Sequence, residues 1–326
     1  MAQNKITTSI TQLVGNTPLF EPVKYEKEQG LQANVFVKLE WFNASGSIKA
    51  RAALNMIEEA EKEGKLKPGD TIVEATSGNT GIGLAAFGAA KGYKFKALLE
   101  DGTSEERFTI LRAYGAEPMY QSEIPYIKGL IDSGNLSMDG IIKGVQDYCD
   151  ENGYFFINQM GNAHNPEAHY RTTGPEIWEQ TDGKVDIYVA MVGTGGTLIG
   201  TSKYLKEKNP NLKVVGVQAT PDSRIGANSG EDAIDGVAPF EGIPSSFLAP
   251  FMREKHFDEY LEVSSKEAAV TAKELLKSEG LFLGSSAAGA FTAAKKLALL
   301  PENKGKNIVV IAPDDGIKYL SLNLYK

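Results

Sequence analysis

The sequence has a single cysteine, Cys149, and only three histidines, His164, His169 and His256. One cysteine cannot form an internal disulfide, and the three histidines show none of the spacings of known zinc sites. The sequence therefore argues against a disulfide scaffold and against a metal centre built from cysteine and histidine.

Positive charge and long apolar runs are also scarce. Lys and Arg total 34 against 42 Asp and Glu, which gives a net charge of −8, and no long basic cluster interrupts the acidic surplus. Nucleic acid and anionic membranes are poor partners for such a chain. No apolar run reaches the roughly 18 residues of a spanning helix, and the polar start MAQNKITTS has no signal pattern. We therefore predict a cytoplasmic protein that acts on a small molecule.

What the sequence does contain is an alternation of apolar strands with helical stretches. Residues 34–40 (NVFVKLE) predict a strand, residues 47–64 an amphipathic helix, and residues 71–75 (TIVEA) the next strand. The alternation continues along the chain and is typical of parallel sheets flanked by helices. We predict an α/β protein with two doubly wound domains and a ligand cleft between them, because ligands of such sheets gather beyond the strand C-termini.

Three turns rich in glycine and small polar residues follow predicted strands and open predicted helices. The turn at 76–81 (TSGNTG) offers backbone N–H groups and hydroxyls to an anion. The turn at 193–197 (GTGGT) lets the backbone approach a phosphate, although it has neither the Walker nor the dinucleotide spacing. The turn at 284–289 (GSSAAG) provides a serine that can hydrogen-bond a buried heterocycle. The turn at 76–81 by itself is equally consistent with a tight strand-to-helix connection, whereas the turn at 193–197 is the more specific signal.

Lys49 lies in the first turn of a predicted helix, just after a strand. The helix dipole and partial burial would both disfavour its ammonium form. An amine with a lowered pKa is a suitable Schiff-base nucleophile. An isolated lysine is usually a surface residue, but the phosphate turn and the anion-binding turn in the same chain favour the chemical role.

Together these residues resemble the cysteine synthase and cystathionine β-synthase family of fold-type-II pyridoxal-phosphate enzymes. The resemblance runs from LVGNTPL at 13–19 to APDDG at 312–316. It implies a larger cofactor-binding domain formed by residues 1–42 and 154–326, and a smaller, mobile domain formed by residues 43–153. The resemblance also implies pyridoxal 5'-phosphate as the cofactor, an amino acid as the substrate, and a homodimer.

The resemblance assigns roles to individual residues. Lys49 would carry the cofactor as a Schiff base, Asn79 would contact the pyridoxal hydroxyl, and Ser286 would face the pyridine nitrogen. The residues assigned to the cofactor phosphate are Gly193, Thr194, Gly196 and Thr197. Those assigned to the substrate α-carboxylate are Thr76, Ser77, Thr80 and Gln159.

The exact reaction depends on where the sequence departs from the usual family pattern. Typical cysteine synthases have Met-Pro-x-x-x-Ser-x-Glu-Arg where this chain has LEDGTSEER at 99–107. An acidic segment at 229–236 occupies the region that lines the substrate mouth in the family. These features look like the hydrogen-sulfide-producing cysteine (hydroxyl)lyase branch, which replaces the thiol of L-cysteine with water through an aminoacrylate intermediate and gives L-serine. The resemblance favours Asp232 over Glu231 and Asp235 as the base that activates water, and spacing alone does not choose among them.

Two alternatives to this reaction stay open. An ordinary cysteine synthase, which joins sulfide to O-acetylserine, would use the same lysine and the same turns. The acidic residues at 229–236 would then be solvated side chains of a surface loop. A catalytically silent binding protein could keep the fold, but an intact Lys49 and a complete phosphate turn argue against it.

Overall fold

Two β-sheets form the framework of the molecule. The computed structural model describes residues 6–76, 78–103, 105–224, 233–320 and 324–326. One sheet contains β1 (Leu19–Phe20), β2 (Asn34–Leu39), β7 (Ile187–Met191), β8 (Lys213–Ala219), β9 (Glu259–Val263) and β10 (Asn307–Ala312). The other contains β3 (Thr71–Ala75), β4 (Lys94–Leu99), β5 (Glu117–Tyr120) and β6 (Phe155–Phe156).

The strand orders are β1-β2-β10-β7-β8-β9 in the larger sheet and β5-β4-β3-β6 in the smaller sheet. All neighbouring strands pair in parallel except β1, which is antiparallel to β2. The predicted architecture, an α/β protein of the fold-type-II kind with two doubly wound domains, is confirmed.

Helices connect the strands and cover the sheets. They are α1 (Val23–Gln29), α2 (Lys49–Lys62), α3 (Asn79–Lys91), α4 (Glu105–Ala113), α5 (Pro125–Asp132), α6 (Met138–Asn152), α7 (His164–Ala168), α8 (Gly174–Gln180), α9 (Gly196–Lys208), α10 (Ser265–Glu279) and α11 (Ser285–Ala298). A π-helical turn, His169–Thr173, joins α7 to α8. In the described ranges, no helix is both long and apolar enough to cross a bilayer.

The strands read as continuous apolar runs because helices cover both faces of each sheet. Every residue of β7 is buried, and α11 contacts β2, β7 and β10 along a face of alanine and glycine. Small side chains allow this close approach of helix and sheet. As a result, Ser285 and Ser286, at the start of α11, lie at the carboxyl edge of the larger sheet.

The chain passes from the smaller sheet to the larger sheet after β6. Phe155 and Phe156 pair with Ile72 and Val73 of β3, so they belong to the smaller sheet, beyond the boundary predicted at residue 154. We therefore propose that the boundary follows Phe156. The division into a larger and a smaller, mobile domain stays a proposal.

Candidate active site

A cavity of about 310 Å³ opens between the two sheets and collects most of the predicted site residues. This volume is in the range of small-molecule pockets. The predicted residues that line it are Lys49, Thr76, Asn79, Thr80, Gln159, Gly193, Thr194, Thr197 and Ser286. Gly196 begins α9 next to this lining. Ser77, Glu231 and Asp232 lie outside the described residues.

Lys49 is placed in the cavity by the connection from β2 to α2. The backbone N–H of Ile48 donates to the carbonyl of Pro313 (2.8 Å), and Ser47 forms a bridge with Asp314. These contacts attach the start of α2 to the segment that follows β10. Among the described atoms, Nζ of Lys49 forms no hydrogen bond, so the amine is available for a covalent bond.

A buried carboxyl, Glu74 on β3, sets the electrostatics around Lys49. Burial lowers the pKa of Lys49 from 10.5 to about 8, and the charge of Glu74 opposes this shift. Burial also raises the pKa of Glu74 to about 8, against the stabilising hydrogen bonds that its oxygens accept from the backbone N–H groups of Gln159 and Ala75. Near neutral pH, Lys49 therefore has a much larger fraction of the deprotonated, nucleophilic amine than an ordinary lysine has.

The turn after β3 forms the smaller-domain wall of the cavity. The N–H of Thr76 donates to the carbonyl of Leu98 (2.9 Å), which holds the turn against β4. The hydroxyl of Thr80 donates to Oε1 of Gln159 (2.7 Å), and both side chains are buried. Thr76, Thr80 and Gln159, which the sequence analysis assigned to one ligand group, thus line one wall together.

The turn at 193–197 forms the facing wall, and its glycines are required by close packing. A Cβ on Gly193 would lie 2.8 Å from the carbonyl oxygen of Gly236, and a Cβ on Gly196 would lie 2.2 Å from Oδ1 of Asn165. Gly195 has φ of 89°, the left-handed region that glycine adopts without strain. The turn leads directly into the N-terminus of α9, where unpaired backbone N–H groups favour an anion.

Two residues that the sequence analysis did not assign support this turn. The amide of Asn165 donates to the carbonyl of Gln159 (2.7 Å) and to the hydroxyl of Thr194 (3.1 Å). Nε2 of His169 lies 3.2 Å from Oγ1 of Thr197. Burial and then the charges of nearby cations hold the pKa of His169 well below its usual value, so the imidazole is neutral. No sequence pattern predicts the contact between His169 and Thr197.

Asn79 is hydrogen-bonded to residues that follow β10 of the larger sheet. Its amide donates to Oδ2 of Asp314 (2.7 Å), and its carbonyl oxygen accepts from Nζ of Lys318 (3.0 Å). The hydroxyl of Tyr319 donates to the same oxygen of Asp314 (2.6 Å). Burial raises the pKa of Asp314, which is fully buried. Asp314 belongs to the APDDG motif at 312–316, so the sequence marked this segment without assigning it a contact.

Two carboxylates line the mouth of the cavity. The carboxylate of Asp235 forms an ion pair with Nη2 of Arg107 on α4 (2.9 Å). The backbone N–H of Asp235 donates to the hydroxyl of Ser285 (3.2 Å). Glu100, which follows β4, is the second carboxylate. Burial and the charge of Asp235 raise the pKa of Glu100. The sequence analysis flagged the segment around Glu100 as unusual but did not place it in the site.

The residues present fit pyridoxal phosphate. The glycine turn at the start of α9 suits a phosphate, and Lys49 offers an amine without a hydrogen bond within the described ranges. Ser286, buried and neutral, lines the same cavity as these two features. A hydroxyl is a suitable partner for a ring nitrogen that is not held protonated.

Comparison with known proteins agrees with this geometry. The family described as "Pyridoxal-phosphate dependent enzyme" matches residues 10–314. A cysteine synthase of Staphylococcus aureus (strain Mu50) is 40% identical over 327 residues, covering 100% of this chain and 99% of that protein. The cysteine synthase of Entamoeba histolytica superimposes with a TM-score of 0.84 at 35% identity, covering 100% of this chain and 92% of that one.

A second solved structure is also similar over nearly the whole length. A hydrogen sulfide-producing enzyme from Fusobacterium nucleatum superimposes with a TM-score of 0.80 at 35% identity, covering 98% of this chain and 99% of that one. Sequence and structure therefore agree on a family and on its cofactor. The chain belongs to the cysteine synthase and cystathionine β-synthase family of fold-type-II, pyridoxal-phosphate-dependent enzymes of cysteine metabolism.

Proposed function

We propose that this enzyme replaces the thiol of L-cysteine with water and releases L-serine and hydrogen sulfide. The observation that carries the proposal is that Asp235, which belongs to the acidic segment at 229–236, lines the cavity that also holds Lys49. A carboxylate near the reacting carbon suits a reaction in which water is the nucleophile. The similarity to a hydrogen sulfide-producing enzyme supports the same direction.

The roles of the cavity residues follow from their positions. The turn at 193–197, with Gly193, Thr194, Gly196 and Thr197, would bind the cofactor phosphate at the start of α9. Asn79 and Ser286 would contact the pyridine ring. Thr76, Ser77, Thr80 and Gln159 would bind the substrate α-carboxylate, with charge-assisted hydrogen bonds that fix the amino acid in one orientation.

Lys49 would act twice, first as the covalent anchor and then as the base. When bound, pyridoxal phosphate supplies an electron sink that stabilises negative charge at the substrate Cα. The amine of Lys49, with a pKa of about 8, is suited to remove the Cα proton at neutral pH. The thiol then leaves Cβ with the electron pair of the C–S bond, takes the proton that Lys49 removed from Cα, and departs as neutral hydrogen sulfide.

Water must next attack Cβ, and water needs a base. A thiolate is well populated near neutral pH, whereas water is not ionised and depends on a neighbouring acceptor for its proton. By its resemblance to the cysteine (hydroxyl)lyase branch, Asp232 would take that proton, and one proton would return to Cα through Lys49 to complete L-serine. The net change is L-cysteine plus water giving L-serine plus hydrogen sulfide, with no oxidant or reductant.

Cysteine synthase is the second candidate function. Relatives that carry this name are 40% identical to the chain, and the lysine and the turns would serve both reactions. A synthase would need O-acetylserine and sulfide, and it would form no serine from cysteine alone.

The deciding experiment supplies purified holoenzyme with L-cysteine as the sole substrate and measures sulfide and serine. We expect equal amounts of both products. In a single turnover, Asp232→Asn should keep sulfide release and slow serine formation, because the amide preserves size but not basicity. Glu231→Gln, in the same acidic segment, is the matched control. Absence of serine, together with rapid cysteine formation from O-acetylserine and sulfide, would replace the proposal with the synthase.

A homodimer and a cytoplasmic location complete the proposal. Both come from the resemblance and the sequence composition. Sedimentation of the purified holoenzyme would test the dimer.

A further inference from the structure

Glu100 is fixed at the mouth of the cavity by the local fold. It follows Leu99, the buried last residue of β4, at the carboxyl edge of the smaller sheet. Its carbonyl oxygen accepts hydrogen bonds from the N–H (3.1 Å) and the hydroxyl (2.7 Å) of Thr103, which close a turn. The turn holds the backbone, and the side chain lines the cavity.

The charge of Glu100 is not compensated locally. In the described parts of the chain its carboxylate forms no ion pair and accepts no hydrogen bond, whereas Asp235 is paired with Arg107 at 2.9 Å. The two carboxylates are close enough for the charge of Asp235 to raise the pKa of Glu100. The mouth therefore holds two carboxylates and one guanidinium, which leaves a net negative charge there.

We propose that Glu100 is a specificity-determining residue that repels anionic groups from the β-carbon end of the cavity. The inference rests on the proposed function, in which the incoming nucleophile, water, and the outgoing hydrogen sulfide are both admitted as neutral molecules. A hydrosulfide anion, or an amino acid with an anionic β-substituent, meets the uncompensated carboxylate. The same charge thus favours hydration over the return of sulfide.

The size of the effect follows from Coulomb's law. Two like charges about 7 Å apart, at an effective dielectric constant of about 20 to 40, repel by an amount equal to roughly a sevenfold to fiftyfold change in affinity. Screening through the open mouth reduces this, and we expect about three- to tenfold.

The test compares two amino acids that differ in charge at Cβ. L-cysteate carries a sulfonate there, and L-serine carries a neutral hydroxyl. Each is titrated into the holoenzyme at pH 8 and low salt, and the dissociation constant is read from the change in cofactor absorbance. Glu100→Gln should bind L-cysteate about three- to tenfold more tightly and leave L-serine within about twofold. Glu100→Lys should shift L-cysteate further in the same direction.

The matched control is Glu105→Gln. Glu105 is an exposed acid on α4 that pairs with Arg112, and it does not line the cavity. Its substitution changes the net charge equally and should leave both dissociation constants unchanged. An equal effect of Glu100→Gln and Glu105→Gln, or an unchanged L-cysteate to L-serine ratio, would overturn the inference. The titration measures binding, so its outcome is separate from whether water or sulfide proves to be the nucleophile.

Discussion

At the scale of single residues, the pair Lys49 and Glu74 controls when the amine is reactive. Both groups are buried. The charge of Glu74 raises the pKa of Lys49, and the charge of Lys49 lowers the pKa of Glu74, so each favours the charged form of the other. Removal of the Glu74 charge should therefore make the ammonium form of Lys49 less favourable and lower the pKa of Lys49 below about 8.

We predict that Glu74→Gln shifts the pH dependence of cofactor capture to lower pH. Capture needs the free amine, so in the wild type its rate should rise with pH through the pKa of Lys49, near 8, and in the variant it should rise earlier. The measurement is the absorbance change when pyridoxal phosphate is added to apoenzyme between pH 6 and pH 9. Lys49→Ala is the control that should show no covalent band and nearly no turnover. A profile of Glu74→Gln that coincides with the wild type would contradict the coupling.

At the scale of elements, the connection from β7 to α9 depends on glycine for a reason that the sequence analysis did not contain. The sequence predicts only that the backbone of this turn approaches a phosphate. The structure directs a Cβ on Gly196 at Asn165, which joins the turn to Gln159. A substitution here would therefore disturb both walls of the cavity.

We predict that Gly196→Ala weakens cofactor retention by about tenfold or more and destabilises the fold by about 1–3 kcal/mol, the usual range for overpacking. Dialysis followed by cofactor absorbance measures retention, and thermal unfolding measures stability. Gly129→Ala on α5 is the matched control, because a Cβ there meets nothing within 4 Å. Normal retention in a folded Gly196→Ala protein would remove this turn from the cofactor site.

At the scale of the whole molecule, side chains from the two sheets meet across the cleft. Arg107 on α4 pairs with Asp235 at 2.9 Å, and Asn79 on α3 donates to Asp314 at 2.7 Å. We expect the smaller domain to close when the substrate α-carboxylate binds Thr76 and Thr80. The hydrogen bonds from these two residues to the carboxylate should form only in the closed cleft.

The prediction is that structures with and without a bound amino acid differ by a movement of the smaller sheet relative to the larger sheet. Arg107→Gln should weaken closure by about two- to fivefold, because a partly exposed ion pair contributes at most about 1 kcal/mol. The rate of hydrogen exchange in α4, measured with and without amino acid, would report the closure. Arg112→Gln, on the same helix but paired with Glu105, should close normally. Superimposable free and bound structures would refute the movement.

Much of this molecule follows from its sequence alone. Apolar strands at 34–40 and 71–75 and the helix between them are readable because their periodicity is local, and the structure places them at 34–39, 71–75 and 49–62. The family, the cofactor and the roles of the cavity residues come from the resemblance, which the motif at 13–19, Lys49, the glycine turns and the motif at 312–316 carry together.

Only the tertiary structure determined which distant residues meet. His169 and Thr197, and Asn79 and Asp314, are separated by at least 28 residues in the chain, and the fold brings each pair into contact. It likewise brings Asp235 near enough to Glu100 for its charge to raise the pKa of Glu100. The burial that lowers the pKa of Lys49 and raises that of Glu74 is likewise a property of the packed molecule. Local sequence specifies a residue's chemistry and its element, but solvent exclusion and charge proximity depend on the whole chain.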